Sequence, residues 1–390
     1  MTGAMTKVEP LRIAVLGAGP VGLEAAVYAK ALGLSVAVYE RGQVAEHLQR
    51  WGHVKLFSPF GMNASVLGLQ TLLREKPTRT FPGEPDIITG RQLREAYHVP
   101  LAESPALIES IHTQTAVLHV GRSFGFKKSD LDETKRPFRL LVRDSKGQER
   151  IDNADAVLDC TGTYAYPNWI GDGNVVAVGE LAARQHISHG IEDILGEKKE
   201  HYAGKSIVLI GDGYSAATTI CNLATLAEEH PATWVIWLTR GQRGQPLPRV
   251  TNDPLKERDR LAVKANSLAT RCDGNLEFHP QTLIDEIISH GPNNGFRVAG
   301  RSNGKPVSWD VERVISCVGY RADLGICSGL KVDDPVGRFQ TREPGYYVLG
   351  SKSHGRGSGF LLRDGFEQVR HVFAAIMANP RLDLYARKAA

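Results

Sequence analysis

The stretch Ile13-Ala-Val-Leu-Gly-Ala-Gly-Pro-Val-Gly-Leu-Glu-Ala-Ala26 constrains the fold more than any other part of the chain. A short apolar run ends at Gly17. Gly19 and Gly22 complete G-x-G-x-x-G, with Pro20 and Val21 between them, and a small-residue helical pattern runs on to Gly33. A second strand pattern over residues 34–39 ends in Glu40-Arg41. Each part has a physical job. Gly17 permits the tight strand-to-helix turn, Gly19 leaves room for a pyrophosphate, and Gly22 lets helix and strand pack closely. The helix N-terminus offers free N–H groups and the positive end of its dipole to phosphate oxygens. Glu40 is placed to accept hydrogen bonds from a ribose diol. Strand, glycines, helix and acid together define a βαβ dinucleotide-binding unit.

The logic returns at Lys205-Ser-Ile-Val-Leu-Ile-Gly-Asp-Gly-Tyr-Ser-Ala-Ala217. Gly211 and Gly213 hold the first two glycine places, Tyr214 and Ser215 open the helix, and Ala216 takes the third place. The strand pattern at 234–239 ends in Thr239-Arg240, with Arg243 close behind, where the first unit has an acid. Arginine at that place suits a ribose 2′-phosphate, through charge and paired N–H donors, and favours NADP over NAD. The alternative is a solvated basic turn. A third strand–glycine–helix unit follows at 345–376, with its strand ending at Gly350-Ser351 and no G-x-G-x-x-G.

Between these units, residues 51–65 combine three aromatics (Trp51, Phe57, Phe60) with His53, Asn63, two glycines and a proline. That mix suits a loop lining a flat ligand, or a hydrophobic loop packed on the core. A helix is expected over 90–103 with Thr89 as its N-cap. Strands are expected at 113–120, 154–160, 276–279, 295–298, 307–309 and 313–318, and a β-hairpin from 138–143 and 149–151. The strands before Thr161-Gly162 and Gly319 both break at a glycine, apt for crossings between domains. The Pro-rich loop 244–254 reads as a flap or as a subunit contact of a homodimer.

Composition removes several function classes. The net charge of +4 is small and the basic residues are scattered, so no nucleic-acid partner is expected. No apolar stretch approaches the ~20 residues of a membrane helix, and the first residues lack a signal-peptide core. The expectation is a cytoplasmic protein without a membrane partner. The five cysteines (160, 221, 272, 317 and 327) form no close pair, which argues against a disulfide framework, a zinc site and a dithiol redox centre. His186 and His189 have no evident third ligand, and no metal is expected.

The arrangement resembles the two-dinucleotide-binding-domain flavoproteins, which include flavin-containing monooxygenases, bacterial N-hydroxylases and thioredoxin-reductase-like enzymes. The markers are Gly17, Gly19 and Gly22 with Glu40, then Thr161-Gly162, then Gly211, Gly213 and Ala216 with Arg240, then Val318-Gly319-Tyr320, and the late Gly350. The resemblance implies an α/β fold with two Rossmann-like domains, the NADP domain inserted in the FAD domain. The implied bounds are 1–165 and 325–390 for FAD and 166–324 for NADP. It places Gly350 and Ser351 near the FAD phosphates and ribitol and Leu361 and Leu362 near the flavin ring; Trp51, from the aromatic 51–65 stretch, is a further candidate cofactor contact. The family's redox Cys pair is absent, and Pro20 and Val21 stand where some members carry a single Cys.

Three functions fit this pattern. The first is an NADPH-dependent flavin monooxygenase that oxygenates nitrogen or sulfur of a small molecule, with O₂ as co-substrate and Asn63 and His53 as candidate catalytic residues. The second is an NADPH-dependent reductase that passes electrons to a quinone, a protein or a disulfide without cysteines of its own. The third is a nucleotide sensor without catalysis. Fold alone does not separate them.

Overall fold

The computed structural model describes residues 10–124, 136–242, 244–271, 274–332, 339–354 and 359–386. The chain forms two compact units, one from residues 1–165 and 322–390, the other from 166–321.

The first unit is built on a five-stranded parallel sheet. Its order is Tyr346–Val348, Ala156–Asp159, Arg12–Leu16, Ser35–Tyr39 and Ile111–His112. The strand Arg12–Leu16 is buried from Ile13 onward, as expected of a central parallel strand covered on both faces. Helix Pro20–Ala31 packs on one face, and helix Leu362–Ile376 packs on that helix, with the Tyr28 and Phe373 rings stacked at 5.2 Å. The late strand and its helix therefore complete the first unit's own sheet and core. A separate antiparallel sheet, Ala116–Arg122, Phe138–Arg143 and Glu149–Ala154, joins the core on the opposite face through Val120, Phe138, Leu140 and Val142. The helix expected over 90–103 is present, with one π-helical stretch at Arg94–His98. Thr89 and Gln92 cap it reciprocally: the Thr89 hydroxyl accepts from the Gln92 N–H at 3.2 Å, and the Gln92 side chain accepts from the Thr89 N–H at 2.8 Å.

The second unit repeats the plan. Its parallel sheet runs Leu276–His279, Trp234–Leu238, Ser206–Ile210, Arg313–Ser316 and Ser188–His189. Helices Tyr214–Glu229 and Lys256–Arg271 cover one face, and an antiparallel sheet of Thr282–Ser289, Phe296–Ser302 and Lys305–Val311 contributes to the core on the other. Two strands here were not expected from the sequence. In Thr282–Ser289 a register shift between Ile284 and Glu286 turns both Ile284 and Ile287 inward, which breaks the period-2 signature of a strand. Ser188–His189 is a two-residue edge strand, too short for any periodic signal. The expected strand at 113–120 runs instead over Ala116–Arg122, and the hairpin's second arm extends to Ala154. The Pro-rich loop is fastened to the following helix, where Asn266 accepts from the Leu247 N–H at 3.0 Å and donates to its carbonyl at 2.8 Å.

Candidate cofactor sites

The first glycine loop separates into structural and open positions. Gly17 has φ +95°, and a Cβ there would lie 2.9 Å from the Cys160 carbonyl oxygen. A Cβ at Gly22 would lie 1.9 Å from the Gly17 carbonyl oxygen, so loop and helix touch through backbone alone. Around the Cβ position of Gly19 no atom lies within 4 Å. That space fronts the N-terminus of helix Pro20–Ala31, which Gly19 leaves without a side-chain cap. The glycine the fold does not need is the one a phosphate needs. Glu40 clamps the loop: Oε2 accepts from the Ala18 N–H at 2.9 Å and Oε1 from the Gly42 N–H at 2.8 Å. Each carboxylate oxygen keeps acceptor capacity for a ribose diol. Arg41 beside it is exposed.

The second loop repeats this division. Gly211 has φ +136° with its Cβ position 2.4 Å from the Cys317 carbonyl oxygen, whereas Gly213 has nothing within 4 Å. The Trp237 indole N–H braces the loop by donating to the Gly211 carbonyl at 2.8 Å. Ala216 is fully buried at the place held by Gly22 in the first loop. Tyr214 and Ser215 open helix Tyr214–Glu229. Arg240 is exposed just past strand Trp234–Leu238, and Arg243 lies outside the described residues.

The 51–65 segment is anchored by its own polar groups. Asn63 is 2% exposed; its amide donates to the Ser58 carbonyl at 3.0 Å and the Pro59 carbonyl at 2.8 Å, and its Oδ1 accepts from the Ser58 hydroxyl at 3.0 Å. Both amide protons are thus spent on shaping the turn. Trp51 lies on Gly90, where a Cβ would sit 2.6 Å from the ring. Its ring centroid is 6.5 Å from that of Tyr164, which also contacts the His47 ring at 5.5 Å. Burial, reinforced by Arg50 and Arg41, pushes the His47 imidazole down to about 4, so it is neutral at physiological pH. Trp51 Nε1 and His53 Nε2 are buried without a hydrogen-bond partner. Buried polar atoms are rarely left so; others in this state among the described residues include both ring nitrogens of His98 and of His189 and the hydroxyls of Thr239 and Ser316.

Thr161-Gly162 and Gly350-Ser351 form two left-handed turns, with φ +68° at Gly162 and +75° at Gly350. The Ser351 hydroxyl lies 4.0 Å from the Cβ position of Gly162, so the turns face one another. Gly350 also abuts Val21, whose Cγ2 lies 3.5 Å from its Cβ position. Leu361 and Leu362 stand half-buried at the start of the last helix, which Asp364 caps by accepting from the Leu361 N–H at 2.8 Å.

Sequence reasoning missed the groups beneath these turns. Asp159 and Lys352 are 0% and 1% exposed and form an ion pair at 2.6 Å. The one available signal was an acid inside the apolar run Ala-Val-Leu-Asp-Cys. It also missed Glu24, fully buried on the first helix.

Among the described residues thiol chemistry is poorly provided for; Cys272 lies outside them. Cys160, Cys221, Cys317 and Cys327 are free and buried. Burial pushes all four thiols up, to about 11 for Cys221 and about 12 for Cys317. A reactive cysteine needs the opposite surroundings.

Each unit is a parallel sheet with glycine turns at its C-terminal end, the plan of a dinucleotide-binding domain. The chain belongs to the pyridine nucleotide-disulphide oxidoreductase family, whose pattern matches residues 11–351. No curated protein sequence matches the chain. Among solved structures it is similar to the bacillithiol disulfide reductase of Bacillus cereus (TM-score 0.71, 16% identity, 95% of this chain and 99% of that one). It is also similar to the FAD-bound cadaverine monooxygenase of desferrioxamine biosynthesis from Erwinia amylovora (0.67, 15%, 98% and 99%). A flavin-containing monooxygenase from Stenotrophomonas maltophilia matches at 0.59 and 21%, over 94% and 99%. At these identities the likeness is one of fold. Among the described residues no helix is long and apolar enough to cross a membrane.

Proposed function

We propose that this protein is an NADPH-dependent FAD monooxygenase that oxygenates nitrogen or sulfur in a small molecule. The observation that carries this reading is the state of the thiols: the four described cysteines are buried with raised pKa values, so none is suited to relay electrons. The electron acceptor is then external, and O₂ is the simplest one. When bound, the flavin supplies the two-electron and oxygen chemistry. The chain's task is to hold it, and the residues fit that task. Gly17, Gly19, Pro20, Val21 and Gly22 would cradle the pyrophosphate of FAD, with Glu40 and Arg41 at the ribose end. Thr161, Gly162, Gly350 and Ser351 would flank the phosphates and ribitol, with Trp51, Leu361 and Leu362 toward the ring. Trp51 Nε1 and His53 Nε2, two of the buried polar atoms without a hydrogen-bond partner, would face the flavin or substrate, and Asn63 would act beside them from the turn it holds at Ser58 and Pro59. Gly211, Gly213, Tyr214, Ser215, Ala216, Arg240 and Arg243 would hold NADP. In this reading residues 1–165 and 325–390 serve FAD and 166–324 serve NADP.

The second reading is a reductase that delivers electrons to a quinone, a protein or a disulfide. The fold shared with the bacillithiol disulfide reductase favours it. Mixing the NADPH-reduced protein with O₂ in a stopped-flow instrument decides between them. An absorbing species between reduced and oxidised flavin supports the monooxygenase. Slow reaction with O₂, with or without amines and thioethers, combined with fast turnover of quinones, supports the reductase.

Coenzyme choice is a separate expectation. Flavin reduction by NADPH should outpace that by NADH, and Arg240→Ala should erase most of the difference. Loss of charge-assisted hydrogen bonds to the 2′-phosphate costs about 1.5–3 kcal/mol, or about 10- to 100-fold in kcat/KM for NADPH. Equal wild-type rates with both coenzymes would sink this assignment.

A further inference from the structure

Asp159 ends the strand Ala156–Asp159, and Lys352 lies in the short helix Ser351–His354, 193 positions later. Asp159 accepts four hydrogen bonds. Oδ1 takes the Thr161 N–H at 3.1 Å and the Thr161 hydroxyl at 2.7 Å; Oδ2 takes the Tyr346 hydroxyl at 3.0 Å and the Lys352 ammonium at 2.6 Å. The same ammonium donates to Thr161 Oγ1 at 3.0 Å, closing a triangle of Asp159, Thr161 and Lys352. Buried ion pairs contribute little net stability, because desolvation of two charges offsets their attraction. What such a pair does supply is direction: it holds its partners in one arrangement. Its partners here are the Thr161-Gly162 turn on one side and the Gly350-Ser351 turn on the other. These are the two left-handed turns that face each other beside Val21 at the head of the first helix.

We propose that Asp159 and Lys352 are positioning residues for FAD: the ion pair, through Thr161, sets the Thr161-Gly162 turn against the Gly350-Ser351 turn in the arrangement that receives the cofactor. The proposal rests on the reading of these turns as FAD contacts. An apolar pair of equal volume would fill the space without fixing the turns, whereas the triangle leaves Thr161 one orientation. The chain would thereby register two segments, far apart in sequence, to the tolerance that a bound dinucleotide requires.

The test is FAD titration of apoprotein, read by flavin fluorescence and by visible circular dichroism of the bound flavin, with thermal melts of the same apoproteins. The paired variant Asp159→Asn with Lys352→Met removes both charges at little change of volume. It is expected to melt near wild type, bind FAD about tenfold or more weakly, and alter the dichroism of what binds. Thr161→Val keeps the ion pair and removes only the hydroxyl. It should fold and show the same two changes, and Thr161→Ser should restore both, which a purely structural role would not require. A folded paired variant, or Thr161→Val, with wild-type affinity and dichroism overturns the proposal. If the paired variant fails to fold, the Thr161 pair of variants decides. Wild-type protein that takes up no FAD overturns the FAD reading itself, a result distinct from unaltered variants in a wild type that binds.

Discussion

Gly19→Val is expected to leave the apoprotein folded and strip it of FAD. Gly19 has φ −77° and ψ −178°, extended backbone that a β-branched residue adopts readily. No atom lies within 4 Å of its Cβ position, so the new side chain meets only the space intended for phosphate. Gly22→Val is the control with the opposite outcome. Its Cβ would lie 1.9 Å from the Gly17 carbonyl oxygen, so the loop or the helix must move and the whole unit loses stability. Melting temperature and the ratio of flavin to protein absorbance, measured on both variants, separate the effects. A Gly19→Val protein with full FAD occupancy would show that the dinucleotide lies elsewhere.

Glu24→Gln should stabilise the protein at pH 8 and change little at pH 5. Glu24 is fully buried, and burial pushes its carboxyl up to about 7 in spite of hydrogen bonds from Tyr97, Ser65 and Tyr385. Tyr97 donates to one carboxylate oxygen and Tyr385 to the other, at 3.4 Å. The Ser65 N–H in turn donates to the Tyr97 hydroxyl at 3.2 Å. The folded state therefore holds this proton more tightly than the unfolded state, whose value is 4.5. Between those two values the folded chain carries the extra proton, and stability falls as pH rises. The loss is complete above about pH 7 and amounts to about 3 kcal/mol. Glutamine keeps an acceptor for Tyr97 and a donor for Tyr385 and carries no charge. Urea melts of wild type and variant at both pH values check this. Identical pH dependence in the two proteins would show that Glu24 does not titrate in this window.

The two predictions lie at opposite ends of what could be read in advance. Gly17, Gly19, Gly22 and Glu40 were legible because their geometry is local. A tight turn, a helix start and a clamping acid are set by residues within about 25 positions, and each leaves a fixed spacing. The same holds for Gly211, Gly213 and Ala216, and for the Thr89 cap. The strand Thr282–Ser289 was illegible because a register shift erased its alternation, and Ser188–His189 because two residues carry no period.

The sequence by itself determined two dinucleotide-binding units, their order, the missing thiol pair and a basic residue where the second ribose would lie. Only the tertiary structure decided which polar groups are buried together. Asp159 and Lys352, and Glu24 with Tyr97 and Tyr385, are separated by 193, 73 and 361 positions. A charged side chain taken alone reads as solvated, since desolvation makes an unpaired buried charge prohibitive. Folding reverses that reading by supplying the partners, and pairings across such distances leave no periodic trace in the chain. Asn63 differs, since its three bonds lie within residues 58–63: its type and neighbourhood suggested a ligand contact, and which groups its amide meets depends on how the turn closes in three dimensions.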